Sequence, residues 1–331
     1  MTADNADSRL ELVDVSARDP EESIAPCVQR GLTARPKHLP SHLFYDREGS
    51  LLFERICDLP EYYLTRAERS ILAGCSNELA LRFSQPVTLV ELGSGSASKT
   101  RLLIDAFLAR HARLTFVPID VSRSMLEQTA HALLEDYPSL EVLAISGLYQ
   151  DGLDRLPDAV ESPRLVLWLG SSIGNLDRPA AMTFLERVRE RLVPGDRVLL
   201  GVDLRKDAQI LERAYDDAQG VTAAFNLNLL TRLNRELGSE FELDTFAHRA
   251  RFVEDIGRVE MHLVSRCEQR VTIGDLGLEI DFAQGETIHT ENSYKYSLDE
   301  IADLARNARL RLEQTWIDDG KRFSLNLLAP A

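Results

Sequence analysis

From residue 87 onward, short apolar runs alternate with longer stretches in which apolar residues recur every three or four positions. Runs of strand length lie at 87–92, 114–119, 140–145, 165–169 and 197–204. The stretches 99–110, 122–137 and 179–192 between them carry the period of amphipathic helices. Ser122 stands where a helix N-cap belongs, and Pro194-Gly195-Asp196 reads as the turn into the fifth strand. Strand and helix in alternation predict an α/β fold on a parallel, doubly wound sheet with right-handed crossovers. Ligands of such sheets bind beyond the carboxyl ends of the strands, where Gly93, Asp120, Gly147 and Gly170 fall.

The pattern changes after Leu204. Residues 207–219 and 221–237 read as helices. Residues 259–273 alternate as one long strand, with Val259, Met261 and Leu263 set against Glu260 and His262, and 278–282 is a shorter strand. A helix at 298–307 precedes strands at 310–317 and 323–328, which Asp318-Asp319-Gly320-Lys321 joins as a hairpin. Ahead of residue 87 there is no such alternation, only helical patterns at 20–30 and 67–83 and the aromatic segments Leu43-Phe44-Tyr45-Asp46 and Leu59-Pro60-Glu61-Tyr62-Tyr63. The expected division is a frayed acidic tail at 1–24 and a sheet core at 86–204 completed by 296–331. Segments 25–85 and 205–295 together supply a second, substrate-binding domain, and the cleft between them and the core is the expected substrate site.

Composition narrows the function classes. At 331 residues, 44% apolar and 27% charged, the chain is an ordinary globular protein with ample core. No run approaches the roughly 18 consecutive apolar residues that a membrane span requires. The N-terminus is acidic and polar, unlike a secretory signal. A net charge of −15 argues against nucleic acid, whose phosphates call for a basic surface, and suits a small cationic or zwitterionic substrate better. Cys27, Cys57, Cys75 and Cys267 lie far apart without metal-ligand spacing, so they read as reduced, mostly buried thiols of a cytoplasmic protein. No metal site is expected, and a monomer is the simplest expectation for an oligomeric state the sequence leaves open.

The sharpest chemical signal is Val90-Glu91-Leu92-Gly93-Ser94-Gly95-Ser96, at the end of the first strand. Glycines in a strand-to-helix turn allow positive φ and close approach of backbone to ligand. Glu91 just before the turn and Asp120 at the end of the next strand complete a nucleotide-type pocket, in which a carboxylate accepts both hydroxyls of a ribose. A dinucleotide site needs a third glycine; here Ala97 and Ser98 follow instead. S-adenosylmethionine carries no phosphate and fits this turn better.

After the fourth strand comes Gly170-Ser171-Ser172-Ile173-Gly174-Asn175-Leu176. Asn175 either contacts an acceptor amino acid, donating to its carboxylate and accepting from its amine, or caps a helix. Taken alone, Tyr45, Tyr62 and Tyr215 are as consistent with packing as with chemistry. Met261 fits a core position, and Glu291-Asn292-Ser293 an exposed turn between a strand and a helix.

In their order, these segments resemble the histidine Nα-methyltransferases of ergothioneine biosynthesis, over about residues 31–328. The resemblance rests on Gly31-Leu32-Thr33, Phe44-Tyr45-Asp46, Leu59-Pro60-Glu61-Tyr62-Tyr63 with Thr65-Arg66, and Glu91-Leu92-Gly93-Ser94-Gly95 with Lys99-Thr100. It continues through the Gly170–Leu176 loop, Ala214-Tyr215-Asp216-Asp217-Ala218, Gly220-Val221-Thr222-Ala223-Ala224-Phe225-Asn226, and Thr290-Glu291-x-Ser293-x-Lys295-Tyr296. It implies a Rossmann-like methyltransferase sheet and S-adenosylmethionine contacts at Glu91, Gly93, Gly95, Lys99, Asp120, Leu148 and Tyr149. It implies that Tyr62, Asn175 and Tyr215 hold the head group of L-histidine and of its mono- and dimethylated forms. Tyr62, Tyr45 and Asn175 would serve the transfer, and Glu291 and Ser293 would bind the imidazole with Met261 beside it. Where the family pattern has an Asp-aromatic pair at the adenine, this chain has Leu148-Tyr149, leaving Gln150 or Asp151 to meet the adenine amine.

A carboxylate facing an imidazole makes a charge-assisted hydrogen bond of roughly 1.5–3 kcal/mol, and an apolar aromatic side chain in its place leaves that carboxylate unpaired. The expected reaction is therefore in-line trimethylation of histidine at its α-nitrogen, without a dedicated strong base. The rival readings are methylation of another amine, a silent cofactor-binding module, and a nucleotide-dependent oxidoreductase.

Overall fold

The computed structural model describes residues 7–15, 24–156 and 163–331, which divide into two compact units. The first contains Leu64–Arg205, Lys295–Ala331 and the described residues of the N-terminal segment. Its eight-stranded sheet runs in the order Leu10–Asp14, Leu140–Ser146, Leu114–Asp120, Thr88–Leu92, Arg164–Trp168, Arg197–Asp203, Phe323–Pro330, Leu310–Ile317. All neighbours pair in parallel except Phe323–Pro330, which is antiparallel to both of its neighbours. The two central strands are buried at every residue, as strands covered on both faces must be. Chain progression reverses between them, and with right-handed crossovers that reversal sends the following helices to opposite faces. The helices bury stripes such as Leu126, Ala130, Leu133 and Leu134 of Arg123–Asp136, or Ala181, Phe184, Leu185 and Val188 of Arg178–Arg191.

The second unit comprises the described residues of Asp19–Tyr63, and Lys206–Tyr294. A four-stranded sheet, ordered Lys37–His38, Thr287–Tyr294, Arg258–Ser265, Phe246–Val253, packs against helix Val221–Leu237. A two-stranded ribbon pairs Gln269–Ile273 with Leu278–Phe282. Among the described residues no helix is long and apolar enough to cross a membrane.

Several expectations need correction. Part of the acidic tail is a strand: Leu10–Asp14 adds in parallel to Leu140–Ser146, anchored by the Arg9 guanidinium on the carbonyls of Leu134 and Tyr137, each at 2.9 Å. Sheet edges tolerate exposed acidic side chains because the ladder is made by the backbone. The rest of that tail (1–6 and 16–23) lies outside the described residues. The single strand expected at 259–273 is two strands in different sheets, parted at Arg266, whose N–H donates to the Thr245 carbonyl instead of a ladder partner. Helix Tyr63–Leu81, expected in the substrate-binding domain, belongs from Leu64 onward to the first unit. Of the cysteines only Cys75 is buried; Cys27 and Cys57 are half-buried and Cys267 is exposed.

Candidate functional site

In the first unit, strand Thr88–Leu92 stops because the chain turns through Gly93 (φ +73°), Gly95 (φ +49°) and Ala97 (φ +51°). The Gly93 N–H donates to the Ile119 carbonyl at 2.8 Å, tying the turn to the next strand end. A Cβ on Gly93 would stand 3.0 Å from the Tyr149 hydroxyl, so space as well as conformation calls for glycine. Asp120 accepts from the N–H of Gly95 and of Ser122, both at 2.9 Å. Ser122 itself makes no side-chain cap. Leu148, just before the short helix Tyr149–Asp154, is exposed, and Tyr149 lies over the turn. The residues expected at a nucleoside pocket are thus brought together, and the two-glycine turn fits S-adenosylmethionine.

Glu91 is bonded to the helix that follows the turn. It is buried, with both carboxylate oxygens 2.8 Å from the Thr100 hydroxyl at the start of helix Arg101–His111. Burial raises its pKa to about 8, against the Thr100 hydrogen bond and the Lys99 charge that lower it. The native state therefore binds a proton that the unfolded chain releases near pH 4.5. The stability this confers is full below about pH 4.5 and is lost as pH rises toward about 8. Glu91→Gln should flatten that fall: the difference in Tm between variant and parent should move in the variant's favour across this window. A constant difference would overturn the assignment.

Beneath the switch point lies a carboxylate that the sequence reading missed. Glu68, fully buried, pairs with the Lys99 ammonium and accepts the Gly170 N–H on both oxygens at 2.9 and 3.0 Å. A Cβ on Gly201 would lie 2.2 Å from Glu68 Oε1, so that strand glycine makes the room. Glu68 thereby fixes Lys99 and the start of the Gly170–Leu176 loop. One acid in a helical pattern gives no sequence signal of this.

In that loop Ser171 takes φ +60° and its hydroxyl accepts the Asp203 N–H at 2.9 Å, holding the single turn Ser172–Asn175. Asn175 is half-buried at its end. It caps no helix: Asp177 caps Arg178–Arg191 by accepting from Ala180 at 2.8 Å, which leaves the ligand reading of Asn175 standing. Asp203 and Lys295, both fully buried, form an ion pair at 2.7 Å.

The second unit contains the expected acceptor residues other than Asn175. Asp46 caps helix Arg47–Cys57 and accepts from Asn228, while Phe44 stacks on Phe225 at 4.5 Å. These contacts hold Tyr45 with its ring edge-on to Phe53 and Phe225. Tyr62 packs edge-on against Tyr215 at 6.1 Å. Its phenol is pushed well above its usual pKa by burial first, then by Tyr215, Cys57, Tyr45 and Glu291. It remains protonated at working pH. Tyr215, ending helix Ala208–Tyr215, has its hydroxyl 2.7 Å from the Ser293 hydroxyl. Asp217 accepts the N–H groups of Val221 and Thr222 at 3.1 and 2.7 Å, which starts helix Val221–Leu237.

Glu291 and Ser293 lie within strand Thr287–Tyr294, correcting the expected exposed turn. The register slips between His289 and Glu291, where Thr290 sends its hydroxyl to the Met261 carbonyl at 3.1 Å. Such a bulge re-aims the side chains that follow. Glu291 then stands opposite Met261 and Ser293 opposite Val259, so all four share one sheet face. Met261 is buried and Glu291 half-buried.

A family profile described as "Histidine-specific methyltransferase, SAM-dependent" matches residues 24–330. The chain is 43% identical over 313 residues to a histidine N-alpha-methyltransferase of Mycolicibacterium smegmatis, covering 95% of this chain and 97% of that one. It is 44% identical over 302 residues to the histidine N-alpha-methyltransferase of Mycobacterium tuberculosis, covering 91% and 93%. Ergothioneine biosynthesis protein 1 of Neurospora crassa is 33% identical over 298 residues, which cover 89% of this chain and 33% of that longer protein.

Proposed function

This chain belongs to the SAM-dependent, histidine-specific methyltransferase family, and from that premise we propose how its residues divide the work. The protein methylates histidine in ergothioneine synthesis; in our reading, three successive transfers to the α-nitrogen yield the trimethyl betaine. The observation that carries the residue assignment is the bulge at Thr290, which sets Glu291 and Ser293 on one face beside Met261, with Ser293 bonded to Tyr215.

Bound S-adenosylmethionine supplies an electrophilic methyl group. Asp120 meets the ribose hydroxyls, while Gly93, Gly95, Lys99, Leu148 and Tyr149 line the rest. Glu91 is assigned to hold the turn from behind through Thr100. Tyr62 donates to the substrate's head group. Asn175 donates to its carboxylate and accepts from its amine, and Tyr45 serves the transfer. Glu291 accepts from the imidazole N–H. The substrate's ammonium, with an ordinary pKa near ~8, loses its proton to solvent, since the Tyr62 phenol is held protonated. Transfer then rests on positioning. We assign the protein to the cytoplasm, acting as a monomer on the free amino acid without membrane or nucleic acid; the net charge of −15 supports this.

Incubation with histidine and labelled cofactor, followed by mass analysis, should yield products heavier by one, two and three methyl groups. A panel in which another amino acid is preferred would overturn the reading, and so would no turnover at all. Asn175→Ala should cut turnover by at least about a hundredfold, the scale of a lost positioning contact. Calorimetric unfolding should stay unchanged, because Asn175 caps no helix.

A further inference from the structure

Behind Tyr215 lies a buried polar cluster with no part in the assignments above. His248, on strand Phe246–Val253, is 2% exposed at its side chain. Its Nε2 is 2.8 Å from the Tyr215 carbonyl oxygen, and its Nδ1 is 2.9 Å from the side-chain nitrogen of Asn226. The same Asn226 nitrogen lies 3.1 Å from the His262 carbonyl oxygen, and Asn226 is fully buried.

These distances fix the protons. The His262 carbonyl only accepts, so the Asn226 amide must turn its NH₂, not its oxygen, to that side. The second N–H of that group points at His248 Nδ1, which must therefore carry a lone pair. The single ring proton sits on Nε2 and is donated to Tyr215. That carbonyl belongs to the last turn of helix Ala208–Tyr215, where the helix has no partner of its own to offer. We propose that Asn226 and His248 are positioning residues for the acceptor, clamping the Tyr215 backbone so that its phenol is aimed at Ser293 and the substrate. The proposal rests on the reading that Tyr215 and Ser293 contact histidine.

A second proton on His248 would set N–H against N–H at Asn226 and break the clamp. Burial holds the ring below its usual pKa, against the opposite pull of the Tyr215 carbonyl, Asp216 and Asp217. Asp216 is 4.0 Å from Nε2 on the segment after the helix, helix Val221–Leu237 presents Asn226, and the facing strand puts Leu263 opposite.

The test compares full-length variants by KM for histidine, kcat, cofactor Kd and the acid limb of histidine kcat/KM. Asn226→Ala and His248→Leu should raise KM for histidine about tenfold, the cost of one buried hydrogen bond, and leave cofactor Kd unchanged. His248→Gln, whose amide oxygen and nitrogen stand at the spacing of the two ring nitrogens, should stay within about threefold of the parent. It should also lack the part of the acid limb that His248 contributes, since its amide does not titrate. ¹⁵N NMR of the imidazoles, with His248→Gln to assign the resonance, should show His248 neutral and protonated at Nε2. A charged ring, the other tautomer, or an acid limb unchanged in His248→Gln would overturn the clamp. Tyr215→Phe separates the two failures. Parental KM in that variant sinks the Tyr215 contact itself. A raised KM there, with parental KM in Asn226→Ala and His248→Leu, sinks only the clamp.

Discussion

Glu291→Ala should lower kcat/KM for histidine about ten- to hundredfold while leaving cofactor affinity within about twofold. A charge-assisted hydrogen bond from imidazole to carboxylate is worth roughly 1.5–3 kcal/mol, which converts to that range. The loss should be selective. The carboxylate is what penalises a bound phenylalanine, because its apolar ring offers no donor, so the variant should discriminate less between phenylalanine and histidine. Glu291 is half-buried in the free protein, and the desolvation cost falls on it when the ring arrives. Steady-state kinetics with histidine and with phenylalanine, together with calorimetric titration of the cofactor, checks each part. Equal losses in histidine turnover and cofactor binding would mean that Glu291 supports the fold.

Breaking the Asp203–Lys295 pair should strongly destabilise the first unit. Both side chains are fully buried at 2.7 Å, so removing one strands the other charge away from water. Such losses cost about 3–5 kcal/mol, whereas replacing both partners by apolar residues of similar volume is often close to neutral. Asp203→Ala and Lys295→Met should each shift urea unfolding by that amount, and Asp203→Leu with Lys295→Met by much less. Singles that unfold at the parental midpoint would show that the charges are not buried in solution. Lys295 sits in the same motif as Glu291 and Ser293, yet its partner is a strand end, so proximity in sequence to substrate residues did not predict its role.

The sheet was legible because its information is local. The apolar runs at 87–92 and 165–169 mark the strands Thr88–Leu92 and Arg164–Trp168, which are buried along their whole length, and helix Val221–Leu237 falls where its period places it. The strand Thr287–Tyr294 was not legible, because its residues alternate irregularly around the Thr290 bulge and its partner strand lies some thirty residues earlier in the chain. Phe246–Val253 was missed for a similar reason: its burial pattern mixes exposed and half-buried positions without a clean period.

By itself the sequence determined the alternation of strand and helix, the turn at Gly93 and Gly95, and the family to which their order belongs. These follow from backbone period and from φ, which each residue and its near neighbours set. Only the tertiary structure decided that Glu68 fixes Lys99 and Gly170, that Glu91 bonds Thr100, and that Tyr215 meets Ser293 from 78 positions away. Those pairings are made by packing between distant elements. Chain order fixes which groups are available, and burial alone chooses which of them must satisfy one another.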